Sequence, residues 1–224
     1  MPSESEGRLV LLLSDKRILE ELEKGNIIID PFDFGQLGTN SYDLRLGGHF
    51  YRHGDGYRLA SLNPYSEQSV RTLWKPWNVE DEGRPPYIIL RAGETVLAHT
   101  EEFVGGRNGF VGYLRARSSV GRLGITVANC AGMGDVGYIN RWTMEMTNHL
   151  NIPVKLRIST RVAQMVFFEV GSTLKEYQGK YQTWRDLADI KKSWSPEQML
   201  PKLWKDPEMK ELTFGEGAEL MGLD

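Results

Sequence analysis

Eight consecutive residues, Arg117-Ser118-Ser119-Val120-Gly121-Arg122-Leu123-Gly124, gather two guanidinium groups, two hydroxyls and two glycines. Forked cations, small donors and closely approachable backbone are what a polyphosphate requires. A surface turn with solvated arginines is the plainer alternative. Two carboxylates follow, Asp135 and Glu145. Glu145 alternates with Trp142, Met144 and Met146 in a strand-like run, so if those three face a core, Glu145 faces solvent or a pocket at a subunit boundary. It is then either an exposed strand carboxylate or a general base whose pKa is raised by partial burial. Asp135 stands in the glycine-punctuated run Ala131-Gly132-Met133-Gly134-Asp135-Val136-Gly137-Tyr138. It is either a turn Asp bonding its own backbone or a carboxylate that activates water or binds a sugar. A polyanion cradle followed by a spaced acid pair points to an enzyme acting on a nucleotide.

Two further segments have chemistry to offer. Tyr177-Gln178-Gly179-Lys180-Tyr181-Gln182 sets rings, an ammonium and amides around a glycine, as a polar linker or as a segment that closes over a triphosphate. His99-Thr100-Glu101 matches the first half of a zinc-deaminase signature, but that chemistry also needs a Pro-Cys-x-x-Cys pair. Cys130 is the sole cysteine, and His49, His53, His99 and His149 lack metal-ligand spacing, so no zinc is expected.

These groups must be held by a β-rich scaffold. Tyr42, Leu44 and Leu46 alternate with polar neighbours, as do Val154, Leu156 and Ile158, and Ala163 to Val170 reads as a mostly apolar strand. Many short strands with frequent turns predict a sandwich or barrel. A helix is predicted over Ser14 to Lys24, capped by Ser14 or Asp15, with Ile18, Leu19 and Leu22 on one face and Gly25 as its stop. Residues 51–86 read as an inserted loop or a meander of short strands. Asp43 and Arg45 read as a structural pair on an edge strand. Beyond about 185 the texture changes, giving a main domain over 1–185 and a C-terminal extension over 186–224, either an appendage or an arm on a neighbouring subunit. Within it Ser195-Pro196-Glu197-Gln198 has the form of a capping box, with Ser195 as cap.

Of 224 residues, 40% are hydrophobic and 25% charged, as in ordinary globular proteins, and the net charge of −3 argues against a general nucleic-acid binder. A single cysteine allows no intrachain disulfide and fits a reducing, cytoplasmic setting. The acidic, polar start Met1 to Glu6 is not that of a signal or transit peptide, and the apolar run Leu9 to Leu13 is too short to span a bilayer, so no membrane partner is expected.

Several ordered motifs carry a family likeness. Gln36 to Gly47, Arg91-Ala92-Gly93-Glu94 to Ala98, Arg117 to Gly124, Asp135-Val136-Gly137-Tyr138, Thr143 to Asn148, Arg161 to Met165 and Gly179 to Gln182 occur in sequence at suitable spacings. Over roughly residues 9–182 the chain resembles the dCTP deaminase branch of the trimeric dUTPase superfamily. The resemblance implies a mainly β fold, a dUTPase-like distorted β-barrel or jelly roll (β-clip) with a short N-terminal helix. It implies a homotrimer with active sites between subunits and a C-terminal lid. It implies zinc-independent deamination of dCTP, with Glu145 as general acid/base activating water and with Ser118, Arg122 and the backbone of Ala131 holding that water. Arg117, Ser119, Gln164, Tyr177, Lys180 and Gln182 would bind the nucleotide and its triphosphate, with Mg²⁺ bridging the phosphate oxygens and dTTP as a feedback regulator.

Asp135 falls where dUTPases keep the carboxylate that activates water against the α-phosphate, and Asn129 and Tyr138 suit a dUTPase-type loop. The run Ala131 to Tyr138 looks more like bifunctional members, which carry dCTP to dUMP and diphosphate, than like deaminase-only members. Two alternatives stay open: a dUTP diphosphatase without deaminase activity, and a non-catalytic nucleotide-binding member. The chain departs from the family pattern at Gly134 (commonly Ile), Asn140 (commonly Gly), Cys130 (commonly Thr) and Thr183-Trp184 (commonly Gly-Gln). The 186–224 extension has no counterpart in the resemblance.

Overall fold

The computed structural model of the protein describes residues 11–54, 61–79 and 86–212. The expectations about the first ten residues, and the last twelve residues of the predicted extension, fall outside them. The elements run β1 (Leu11–Leu12), α1 (Asp15–Glu23), β2 (Ile27–Asp30), β3 (Tyr42–Arg45), β4 (His49–His53), α2 (Glu67–Leu73), β5 (Trp74–Asn78), β6 (Tyr87–Leu90), β7 (Thr95–Gly106) and β8 (Phe110–Ala116). They continue with α3 (Ser118–Arg122), β9 (Ile125–Thr126), β10 (Ile139–Asn148), β11 (Val154–Arg157), β12 (Arg161–Glu169), α4 (Leu187–Ser193) and α5 (Pro207–Leu212).

The fold is mainly β, as the alternation predicts. In one sheet β12 is central, with β8 along one edge and β3 and β1 along the other. A second sheet runs β5-β4-β7-β10-β9, with β2 joining the far end of β7, and β6 pairs with β11. All these pairings are antiparallel. The sheets face each other across one core. Tyr42, Leu44 and Leu46 enter it from the β3 segment and Ala163, Met165 and Phe167 from β12, meeting Trp142, Met144 and Met146 of β10. Tyr42, Leu44, Leu46, Met144 and Met146 are all 0% exposed, so period-two alternation put the right set of residues inside.

The helix at the start forms as expected. Ser14, not Asp15, caps it, its Oγ accepting from Arg17 N–H at 3.4 Å. The segment after β4 differs from expectation. Ser66 caps α2, which lies between β4 and β5 where only loop or strand was predicted. A seven-residue helix is too short for an apolar stripe to stand out, and its one fully buried residue is Val70. The capping box at Ser195 is also corrected. Pro196–Met199 is a 3₁₀ turn with no side-chain cap from Ser195, and the Gln198 amide instead donates to Ser193 O at 3.1 Å.

A buried polar knot joins the two sheets. Glu102 is 0% exposed and accepts from Gln36 Nε2 at 3.0 Å, Arg45 Nε at 2.7 Å and Arg45 N–H at 3.0 Å. Asp43 meets Arg117 at 3.1 Å and Arg161 at 3.3 Å. Asp43 and Arg45 thus have the structural role read from the sequence, with other partners than each other. Glu102→Ala leaves Arg45 and Gln36 facing a buried void. It is expected to cost about 3–5 kcal/mol, the scale for breaking one side of a buried ion pair, measured by urea unfolding.

Candidate active site

A cleft of about 550 Å³ opens beside β10, within the usual size of small-molecule sites, about 300–1,000 Å³. β10 pairs with β7 so that Glu145 stands opposite Leu97. Side chains opposite one another in an antiparallel pair share a face, so both point away from the core and into the cleft. The turn after β9 supplies Ala131 and Asp135, and the segment after β12 supplies Tyr177 and Lys180. Tyr138 lies between them, edge-on to Trp142 at 5.3 Å and to Tyr177 at 5.3 Å. Six residues picked from the sequence therefore converge: Ala131, Asp135, Tyr138, Glu145, Tyr177 and Lys180.

Burial sets the chemistry of Glu145. Desolvation disfavours its charged form and raises its pKa above the ordinary carboxylate value, partly offset by Asn129 N–H, which donates to Oε2 at 3.3 Å. A carboxylate held in this state takes up a proton more readily than an exposed one, which suits a group that must first accept a proton and then return it. Tyr138 is also desolvated, its phenol pKa pushed well above the usual value.

Other predicted residues lie elsewhere. Asn129 places Glu145 through its backbone, while its side chain bonds Thr126 and Thr147 rather than opening to the cleft. Ser118, Ser119 and Arg122 are exposed on α3, Arg117 is turned toward Asp43, and Gln164 lies on β12 opposite Asp43 and Arg115. None of these five lines the cleft of their own chain. Gln182, expected to bind the nucleotide, holds backbone in this structure. Its Oε1 accepts from Ile139 N–H at 2.7 Å and its Nε2 donates to Gly137 O at 2.8 Å, leaving the amide spent on backbone. Residues that sequence reasoning missed are Leu97, Trp74, Met199 and Pro201, which form an apolar wall of the cleft. The β7–β10 register, the β5–β4–β7 pairing and the path of the C-terminal segment bring them there.

The departure at Gly134 has a physical reason. A Cβ at Gly134 would stand 2.5 Å from the Trp142 ring, so the glycine leaves the space that the indole fills. Gly137 has φ +93° and packs against Glu176, again without room for a side chain. Cys130 takes a left-handed φ of 75°, an uncommon conformation for a non-glycine residue. His99, set aside as a zinc ligand, is 1% exposed, bonds Thr100 O through Nδ1 at 2.8 Å and accepts His49 N–H at Nε2 at 3.2 Å. Burial pushes its pKa down to about 3, so it serves as a neutral packing ring. Among the described residues, no three His, Cys, Asp or Glu side chains gather in a metal-binding group. No helix among them is long and apolar enough to cross a membrane.

This sheet arrangement is shared with a solved structure, the 2′-deoxycytidine 5′-triphosphate deaminase from Agrobacterium tumefaciens. It aligns with TM-score 0.55 at 21% identity over 75% of this chain and 51% of that one, a likeness of fold. The "dCTP deaminase-like" family matches residues 12–170. Two relatives bear the name "dCTP deaminase, dUMP-forming". That of Acidothermus cellulolyticus is 36% identical over 169 residues, 75% of this chain and 85% of its own length. That of Methanosphaerula palustris is 31% identical over 176 residues, 77% of this chain and 90% of its own. The chain belongs to the dCTP deaminase-like family.

Gly134→Ile drives a branched side chain into the Trp142 ring. It is expected to lower stability by about 1–3 kcal/mol, the usual cost of overpacking, as read by urea unfolding.

Proposed function

We propose that the protein deaminates dCTP and carries the product on to dUMP and diphosphate. The observation that carries this is the placement of Glu145, half-buried with a raised pKa, in one cleft with Ala131 and Asp135. The names of the relatives support the substrate and the dUMP product.

The chemistry balances without a bound metal at the ring. The Glu145 carboxylate takes a proton from water as the oxygen bonds to C4 of the cytosine. The carboxylic acid so formed gives that proton to N3; the carboxylate then takes the proton of the new C4 hydroxyl and passes it to the exocyclic nitrogen, the C4–N bond breaks, and ammonia leaves as the C4 carbonyl forms. A second water, activated by Asp135, then attacks the α-phosphorus of dUTP, giving dUMP and diphosphate. The triphosphate arrives as its Mg²⁺ complex, the ion belonging to the substrate and neutralising its charge. Lys180 and Tyr177 stand at the cleft to hold the tail, whose binding energy positions the ring.

The hydroxyl, guanidinium and amide groups expected to steady the attacking water and the phosphates, Ser118, Arg122, Arg117, Ser119 and Gln164, come in this reading from a neighbouring copy in a homotrimer. Their location away from the chain's own cleft supports it. Sizing is expected to give three times the 25.5 kDa chain mass. Mixing inactive Ser118→Ala and Glu145→Gln proteins is expected to restore part of the turnover, since some shared sites regain both groups. A monomer, or mixtures as dead as their parts, refutes the shared site.

Product separation after incubation with dCTP and Mg²⁺ tests the reaction. Wild type gives dUMP, Asp135→Asn stops at dUTP, and Glu145→Gln loses about 10²–10⁴-fold in turnover with dCTP binding retained. Because Glu145 must be deprotonated to accept the proton, kcat/KM falls as pH drops through its pKa. That acid limb is expected above the roughly 4.3 of a free glutamate and absent in Glu145→Gln. Undiminished turnover in Glu145→Gln defeats the assignment.

A further inference from the structure

The C-terminal extension lies on this chain's own second sheet. Ile190 packs on Phe103 and Ile139, and Met199 and Leu200 on Tyr51 and Leu97. Met199 and Pro201 thereby line the Glu145 cleft. Asn140, the departure from the family's glycine, ties the extension to the segment that carries Lys180. Its Nδ2 donates to Tyr181 O at 3.0 Å and to Gln198 Oε1 at 3.3 Å. Lys202 continues the tie, its N–H donating to Tyr181 Oη at 3.2 Å and its Nζ to Lys180 O at 3.3 Å. The ammonium of Lys180 is ion-paired with Asp206, also from the extension.

A second cavity of about 220 Å³ lies against the same segment, lined by Lys180, Lys202 and Lys205 with the amides of Asn140 and Gln198 and, among the described residues, no carboxylate. Burial first, and then the like charge of Lys205, lowers the pKa of Lys202, while Glu197 and Glu67 act in the other direction and Arg71 with Lys205. Three amines thus crowd a space in which Asp206 neutralises one. Lys180 lines both this cavity and the Glu145 cleft. The Lys180–Asp206 pair is partly exposed, with side chains 25% and 35% accessible, so it is a weak and exchangeable contact.

We infer that the extension is a working part of the nucleotide site, with Asp206 resting on Lys180 where a phosphate oxygen of the substrate goes. The inference builds on the reading that Lys180 grips the phosphate tail. Triphosphate binding exchanges carboxylate for phosphate at Lys180, and Lys202 and Lys205 add their charge to the incoming anion. The Asn140, Gln198 and Lys202 bonds hold the segment in place during the exchange, so no lid need open. Asp206 therefore sets how strongly charged a ligand must be to gain Lys180, making it a determinant of specificity for the phosphorylated substrate.

Equilibrium binding of Mg²⁺-dCTP and of deoxycytidine, in a Glu145→Gln background that prevents turnover, tests this. Asp206→Asn is expected to tighten dCTP about fivefold at low salt, the scale of a partly exposed ion pair, and to leave deoxycytidine unchanged. In Lys180→Met the same Asp206→Asn change is expected to have no effect. Unchanged or weaker dCTP binding in Asp206→Asn overturns the inference, as does equal tightening without Lys180. Wild-type conversion of dCTP, followed separately, reports on the proposed reaction. If dCTP is converted and Asp206→Asn is silent, the exchange alone fails; if dCTP is neither bound nor converted, both fail.

Discussion

The ladder between β7 and β10 is the constraint from which the site follows. These are the two longest strands in the fold, and their register sets Glu145 beside Leu97 and Met144 beside Ala98. Because successive side chains on a strand alternate faces, Met144 and Met146 can be fully buried only if Glu145 points the other way. A slip of one residue would bury the carboxylate and expose the methionines, so the hydrophobic core itself holds the acid in the cleft. The irregularity between Arg141 and Thr143 falls in the middle of the ladder, and the pairs from Thr143 to Thr147, which include Glu145, run in unbroken register.

Around that ladder, close packing and polar satisfaction leave few free choices. Trp142 fills the space beneath the Ala131–Tyr138 turn and donates its indole N–H to Val104 O at 2.7 Å, so the turn lies on a fixed floor. Gly134 lets the backbone pass over the ring, and Gly137 lets it turn toward Tyr177, whose N–H reaches Val136 O at 2.7 Å. The Glu102–Arg45–Gln36 knot does comparable work between the sheets, since every buried charge in it has a partner. A turn, a strand and a docked segment held in this way keep Asp135, Glu145 and Lys180 around one cleft.

The outer face of the second sheet is unusually rich in apolar and aromatic groups for a surface, and the extension covers it. Trp194 packs against His49 and His99, and the Arg141 guanidinium sits 4.6 Å from its ring centre and 4.9 Å from that of Phe103. Covering this face brings Met199 and Pro201 to the cleft, and Lys202 and Asp206 to Lys180 beside it. The segment that covers the sheet thus also lines the cleft, so its packing and the shape of the cleft depend on the same contacts.

By itself the sequence determined the strand alternation that sets Tyr42, Leu44 and Leu46, and Met144 and Met146, each on one face of a strand, a helix start capped at Ser14 or Asp15, and the types of residue able to act on a nucleotide. These are local properties: period two, a hydroxyl before a helix, and ordered motifs survive as patterns along the chain. It did not show α2, the engagement of Gln182 by backbone, the apolar wall of Leu97, Trp74, Met199 and Pro201, or the Lys180–Asp206 pair. Those depend on contacts between residues far apart in the chain, such as Lys180 with Asp206 and Gln182 with Ile139. Whether an amide is free for a ligand or a lysine already has a partner is decided by what packing brings within hydrogen-bond reach, and only the tertiary structure fixes that.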